Sequence, residues 1–144
     1  MVTAIAHRAR ICELVLSPAG DAERLLEDLS AAGAAPETCE GRGDLPLRVT
    51  FPLDDTHGLQ ALCERLQASH GEALTIRTDR GSVTVVGHGL GEEPTLLRRS
   101  LSVAAAVAKE PVPLQLGPLA LTLTVPADAV QETVQRLHGE LIES

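Results

Sequence analysis

The sequence contains no tryptophan and no tyrosine, and Phe51 is its only aromatic residue. Single-stranded nucleic acids are held largely by stacking bases on aromatic rings, so that mode of binding is closed to this chain. Leucine, valine and alanine must fill the core instead. Positive charge is also scarce. The formal net charge is −8, and Lys109 is the single lysine among twelve basic residues, the rest being arginine. This arginine bias reads as genomic rather than chemical. A phosphate backbone needs a clustered positive face to neutralise it, so no nucleic-acid partner is expected.

Catalytic and metal-binding patterns are missing as well. The three cysteines, Cys12, Cys39 and Cys63, are odd in number and far apart. They read as small buried hydrophobes of a protein in a reducing, cytoplasmic setting. His7, His57, His70, His88 and His138 form no H-x3-H pattern, and no C-x2-C is present, so neither a metal nor a cofactor is expected. These histidines read as exposed loop or helix-end residues. His88 stands apart because it lies inside a glycine loop, where it is a candidate pH-sensitive donor to a ligand or partner chain. Ser17 and Ser82 have no positioned base. The acidic pairs Asp54/Asp55 and Glu92/Glu93 fall at expected helix starts, where they offset the helix dipole. Arg98 and Arg99 fall on a helix face turned to solvent. No enzyme activity is expected. No signal peptide or membrane span is visible either, since "VTAIAH" is short and runs at once into His7 and Arg8.

What is present is a repeat. With 144 residues, 44% of them apolar, the chain can bury a real core. The stretch "LRVTFPLDD" (47–55) returns as "LTLTVPADA" (121–129), 74 residues later. Each copy is an alternating strand that ends in proline before an acidic helix start. Leu47, Val49 and Phe51 share one face while Arg48 and Thr50 point away; Leu121, Leu123 and Val125 match them against Thr122 and Thr124. Such alternation predicts a sheet covered on one side only. The following helices correspond too, through Leu59, Leu62, Cys63 and Leu66 in one and Val130, Val134, Leu137 and Leu141 in the other. Upstream of each strand lies another helix. "DAERLLEDLSAAGA" (21–34) opens on an Asp21 cap with Leu25, Leu26, Leu29 and Ala32 on one side. "PTLLRRSLSVAAAVA" (94–108) opens on Pro94 and shows Leu97, Leu101 and Ala104. Each of these follows a strand and a Gly/Pro loop, "ICELVLSPAG" (11–20) and "VTVVGHGLGEEP" (83–94).

Both halves therefore read β–α–β–β–α. The strand "ALTIRT" (73–78) completes the first half, and the second has no such strand after it. The unused strand "VTAIA" (2–6) supplies the missing edge if the first half is inserted within the second, in which case neither folds independently. Two βαββαβ units of about 70 residues each account for the chain.

The loop "VTVVGHGLGEEP" raises the question of a nucleotide. A dinucleotide site requires G-x-G-x-x-G, so that the backbone approaches a pyrophosphate at a helix start. Gly87 and Gly89 fit, but the third position is Glu92, followed by Glu93, and carboxylates there would repel the phosphates. No Gly-Lys-Ser/Thr is present for a P-loop either.

The order of strand, Gly loop and helix in a doubled βαββαβ pattern resembles the ACT domain, a ferredoxin-like module that senses small ligands. More closely, it resembles the paired ACT regulatory region of aspartokinases over nearly the whole chain. There, a leading strand like "VTAIAH" precedes the first module, and the second begins with V-V-G-x-G-M/L-x-x-x-P, as in "VTVVGHGLGEEP". The closing helix "QETVQRLHGEL" (131–141) is also similar. The resemblance implies an α+β fold of two ferredoxin-like βαββαβ modules, with antiparallel sheets and helices on one face. The first module would span residues 8–79, and the second residues 2–7 with 80–144. It also implies a homodimer joined through its sheets, a feedback amino acid bound at the inter-module interface, and a catalytic partner subunit. The kinase reaction itself would need a few hundred additional residues.

The resemblance places a ligand at the loop "SPAG" and the helix start after it, through Ser17, Ala19, Gly20, Asp21 and Ala22. Gly41 and Arg42 on the next strand, and Glu110 and Pro111 in the second module, would face it. Gly87, His88 and Gly89 are candidates in the second loop. The family carries an Asp at the Ser17 position to hold the ligand's ammonium. A hydroxyl there forgoes a charged hydrogen bond worth ~1.5–3 kcal/mol, a loss of roughly ten- to a hundredfold in affinity. Gly41 and Arg42 replace a Gln-Asn pair, 108–111 replaces an N-x-N-I stretch, and "QLGP" (115–118) replaces a polar turn. Two readings follow. Either the protein senses an altered amino acid or related acid through backbone groups near residues 17–22, or it is a ligand-free dimerisation or partner-binding scaffold.

Overall fold

The computed structural model describes residues 2–53 and 58–142. Asp54, Asp55 and His57, on which readings were placed, lie outside the described residues. Along the chain run β1 (Val2–Leu16), α1 (Ala22–Ala32), β2 (Thr38–Arg42), β3 (Leu45–Pro52), α2 (Leu59–His70), β4 (Leu74–Gly87), α3 (Pro94–Ala108), β5 (Leu114–Leu116), β6 (Ala120–Pro126) and α4 (Val130–Leu141). The chain divides into two compact units: Arg10–Thr78, and Met1–Ala9 with Asp79–Ser144. It is an α+β protein with antiparallel strand pairs and four helices among its described residues.

Two of the separate strands expected from the sequence are continuous with their neighbours. Residues 2–6 and 11–16 belong to the single strand β1, and 74–78 and 83–87 merge into β4, Ala73 closing the short helical turn before it. Neither junction carries a proline or a turn dipeptide. Gly81, the one residue that could bend β4, stays extended and pairs with Val125. Ladder hydrogen bonds hold such a polar stretch in a strand although its side chains do not call for one.

In the Arg10–Thr78 unit the strand order is β2-β3-β1-β4. Cys12 opposes Phe51, Leu14 opposes Val49 and Leu16 opposes Leu47. These pairs turn one face toward Leu25 and Leu29 of α1 and Leu62 and Leu66 of α2, forming a single buried cluster. Each such side chain contributes about 1.5–3 kcal/mol by leaving water. α1 starts where Asp21 accepts a hydrogen bond from the Arg24 amide (3.1 Å) and stops at Gly33, whose φ of 71° only glycine adopts freely. The other face of these strands is not left to solvent, as alternation had implied. Ile11, Glu13, Thr38 and Thr50 are all buried. The Thr38 and Thr50 hydroxyls lie 2.5 Å apart and satisfy each other, so the polar alternation is kept without exposure.

In the second unit, β4 pairs with β6 and β6 with β5, while residues 2–9 of β1 lie on the other side of β4, giving β1-β4-β6-β5. Val83, Val85, Leu121, Leu123 and Val125 face Ala104 of α3 and Val130 and Leu137 of α4. α3 is rotated from its expected setting. Leu96, Leu97, Ala104 and Val107 pack inward and Leu101 lies outside the cluster. The buried residue between them is Ser100, whose hydroxyl donates to the Leu96 carbonyl (2.8 Å) and so enters the core without an unmet group. Arg99 is not merely solvated: it donates to the backbone and carboxylate of Glu140, at 2.8 and 2.7 Å, tying α3 to α4.

Candidate functional site

Where β1 ends, the chain turns tightly into α1. The Ser17 amide donates to the Ala73 carbonyl (2.8 Å) and the Gly20 amide donates back to the Ser17 carbonyl (2.9 Å). A Cβ at Gly20 would meet Leu16 Cδ1 at 2.5 Å, so glycine lets the turn lie against the end of the core. On the β2–β3 hairpin, the ladder slips between Glu40 and Arg42. A Cβ at Gly41 would meet Leu47 Cδ1 at 2.8 Å, which keeps that position small.

These two segments enclose a cavity of about 320 Å³. Ser17, Gly20 and Ala22 line one side, and Gly41 and Arg42 the other. Leu16, Pro18, Leu45 and Leu47 complete an apolar wall that the sequence reading did not include. Their signal was present: Leu47 lies on the core-facing side of its alternating strand and is only partly buried there. A second groove of about 540 Å³ shares Gly41, Arg42 and Leu45 and adds Val15, Glu40, Pro46 and Arg48.

Electrostatics at the rim is simple. Arg42 Nε and Nη2 donate to the Asp44 carboxylate at 2.7 and 3.1 Å. The guanidinium holds the Asp44 carboxyl below its usual range. Asp21 is occupied as the α1 cap, and Ala19 is at the exposed tip of the turn. Glu110 and Pro111 belong to the other unit, where Glu110 accepts a hydrogen bond from Arg80.

The glycine loop does a structural job. The Gly87 amide donates to the Leu119 carbonyl (2.9 Å), and Gly89 takes a left-handed turn at φ 68°. Fully buried Leu90 then anchors the entry to α3 at Pro94. His88 is exposed. His70, by contrast, is not the exposed helix-end residue expected. Its side chain is 3% exposed and Nε2 lies 3.0 Å from Asp28 Oδ2, linking α2 to α1. Cys39 is exposed on β2, so only Cys12, and in part Cys63, behave as the buried hydrophobes anticipated. Among the described residues no group of three side chains could hold a metal ion, and no helix is long and apolar enough to cross a membrane.

No protein-family model matches the chain, and no curated protein matches it in sequence. Solved structures do match. The ligand-free regulatory subunit of aspartate kinase from Thermus thermophilus superposes with a TM-score of 0.75 at 18% identity, over 96% of this chain and 97% of that one. Its fold is that of an aspartate kinase regulatory subunit. The regulatory subunit from Thermus flavus agrees, with a TM-score of 0.73 at 17% identity over 95% and 96% of the two chains. E. coli aspartokinase III, in complex with lysine and aspartate, matches at a TM-score of 0.68 and 16% identity. The match covers 98% of this chain and 33% of that enzyme, so the chain spans about a third of its length. At these identities the likeness is one of fold.

Proposed function

We propose that the chain is a non-catalytic regulatory protein of the ACT type, which senses a small amino-acid-like ligand and allosterically controls an aspartokinase-like partner. In this reading residues 8–79 form one ferredoxin-like module and residues 2–7 with 80–144 the second, the first inserted in the second. The strand orders support it. Each unit sets its last strand beside its first, provided that residues 2–9 count as the last strand of the second unit. Regulatory subunits among the fold neighbours support it too, as does the lysine and aspartate bound in the E. coli enzyme.

The observation that carries the sensing role is the cavity at the α1 start, where Ser17, Gly20 and Ala22 meet Gly41 and Arg42. The test is thermal melting of the full chain with each of the twenty amino acids and their deaminated acids. A ligand at a hundred times its Kd adds ~2.7 kcal/mol of stability. If no compound shifts the melting temperature, the alternative stands: a ligand-free dimerisation or partner-binding scaffold. Both readings include a homodimer, because β2 and β5 stand at the sheet edges, where a second copy can add a strand. A monomer by light scattering at micromolar concentration would remove that part.

A further inference from the structure

The polar groups of the α1 cavity bear on the charge of what it holds. Among the described residues two polar side chains line it: the Arg42 guanidinium, which only donates, and the Ser17 hydroxyl, which donates and accepts. Among the described residues the Ser17 hydroxyl has no partner. Arg42 spends Nε and Nη2 on Asp44, and among the described residues Nη1 is unengaged. The Arg42–Asp44 pair is 70% and 69% exposed, the kind of surface pair that is weakly held and easily shared with another anion. The rest of the wall is leucine, proline, alanine and glycine.

Among the described residues no carboxylate lines the cavity. Of the carboxylates next to the lining residues in sequence, Asp21 accepts from the Arg24 amide, Asp44 pairs with Arg42, Glu40 lies 3.6 Å from Arg48 in the adjoining groove, and Glu23 sits in the first turn of α1 outside the lining. An ammonium brought in would lose water against leucine side chains and find no anion, an unfavourable exchange. A carboxylate would instead accept from Arg42 and Ser17, and an aliphatic chain would lie on Leu45 and Leu47. At about 320 Å³ the space is at the small end of ligand cavities.

Resting on the sensing reading above, we infer that the ligand is a short aliphatic monocarboxylate without an amino group, its carboxylate held by Arg42 and Ser17. Leucine and 4-methyl-2-oxopentanoate share a carbon skeleton and differ in the amino group, so they form the test. The full chain is titrated with each, following backbone amides by NMR. The oxo acid is expected to bind at least roughly tenfold tighter than leucine, the scale of one charged hydrogen bond. Arg42→Gln should weaken the oxo acid by a similar factor and keep the melting temperature. Ser17→Ala should weaken it less.

Leucine binding as tightly as the oxo acid, or any other amino acid outbinding it at these residues, overturns the inference and leaves the sensing role standing. Unchanged oxo-acid affinity in Arg42→Gln also overturns it. If neither class perturbs the amides of Ser17, Gly20 and Arg42, the inference and the sensing role fall together.

Discussion

Arg48 Nε lies 2.8 Å from Glu13 Oε2, and the two side chains are only 11% and 5% exposed. They stand on neighbouring strands of the Arg10–Thr78 unit, with Glu40 3.6 Å from the outer end of the guanidinium. Nothing in the alternating pattern of 47–55 marks this pair, because Arg48 occupies a position that reads as solvent-facing.

A buried charge stripped of its partner is far less stable than the pair or an apolar replacement of both. Arg48→Met should therefore destabilise the protein by about 3–5 kcal/mol. The double variant Arg48→Met/Glu13→Leu should recover most of that loss. Urea denaturation of the native protein, Arg48→Met, Glu13→Leu and the double variant measures this coupling. A single-variant loss under about 1 kcal/mol, the range of exposed pairs, would show that the pair is solvated.

The two glycines Gly81 and Gly139 should respond oppositely to alanine. A Cβ at Gly81 would run into Val130 and approach the Arg8 and Ala9 carbonyl oxygens at 2.9 Å, and backbone cannot move aside cheaply. Gly81→Ala should cost ~1–3 kcal/mol through overpacking. Gly139 lies within α4 with open space around it, so Gly139→Ala should stabilise by ~0.5–1 kcal/mol. Thermal melting of both variants distinguishes them by sign.

Thiol chemistry should follow burial. Burial first, and the neighbouring Cys63 second, push the Cys12 thiol well above its ordinary value of 9.0. Burial raises Cys63 as well. Labelling of the native protein should modify exposed Cys39 first, Cys63 slowly and Cys12 only on unfolding. The same shift sets a pH dependence. With the folded value above the unfolded one, the native state binds more protons, so the contribution is complete below pH 9 and is lost as pH rises beyond it. The slope approaches ~1.4 kcal/mol per pH unit. The urea midpoint of the native sequence should fall more steeply from pH 8 to 10.5 than that of Cys12→Ala. Parallel curves would remove Cys12 as the cause.

Much of the scaffold was legible because it rests on local rules. Asp21 and Gly33 bound α1 through a capping carboxylate and a left-handed glycine, both readable from residue type. The strands with Leu47, Val49 and Phe51, and with Leu121, Leu123 and Val125, present the faces their period of two implies. The continuity of β1 and β4 was not legible, since a polar segment becomes strand only when partners on either side complete its hydrogen bonds. Nor were the partners of His70, Arg99 and Glu110, each of which depends on a group at least thirty positions away.

The amino-acid sequence alone determined the doubled strand–helix rhythm, the aliphatic core and the small, glycine-kept turns, because these follow from side-chain size and from backbone freedom at single positions. Tertiary structure alone decided which side of each strand is hidden, which charges are matched, and that the 17–22 turn closes on the 41–47 hairpin around one space. Burial and pairing are properties of neighbours in space, and a chain names its spatial neighbours only once it has folded.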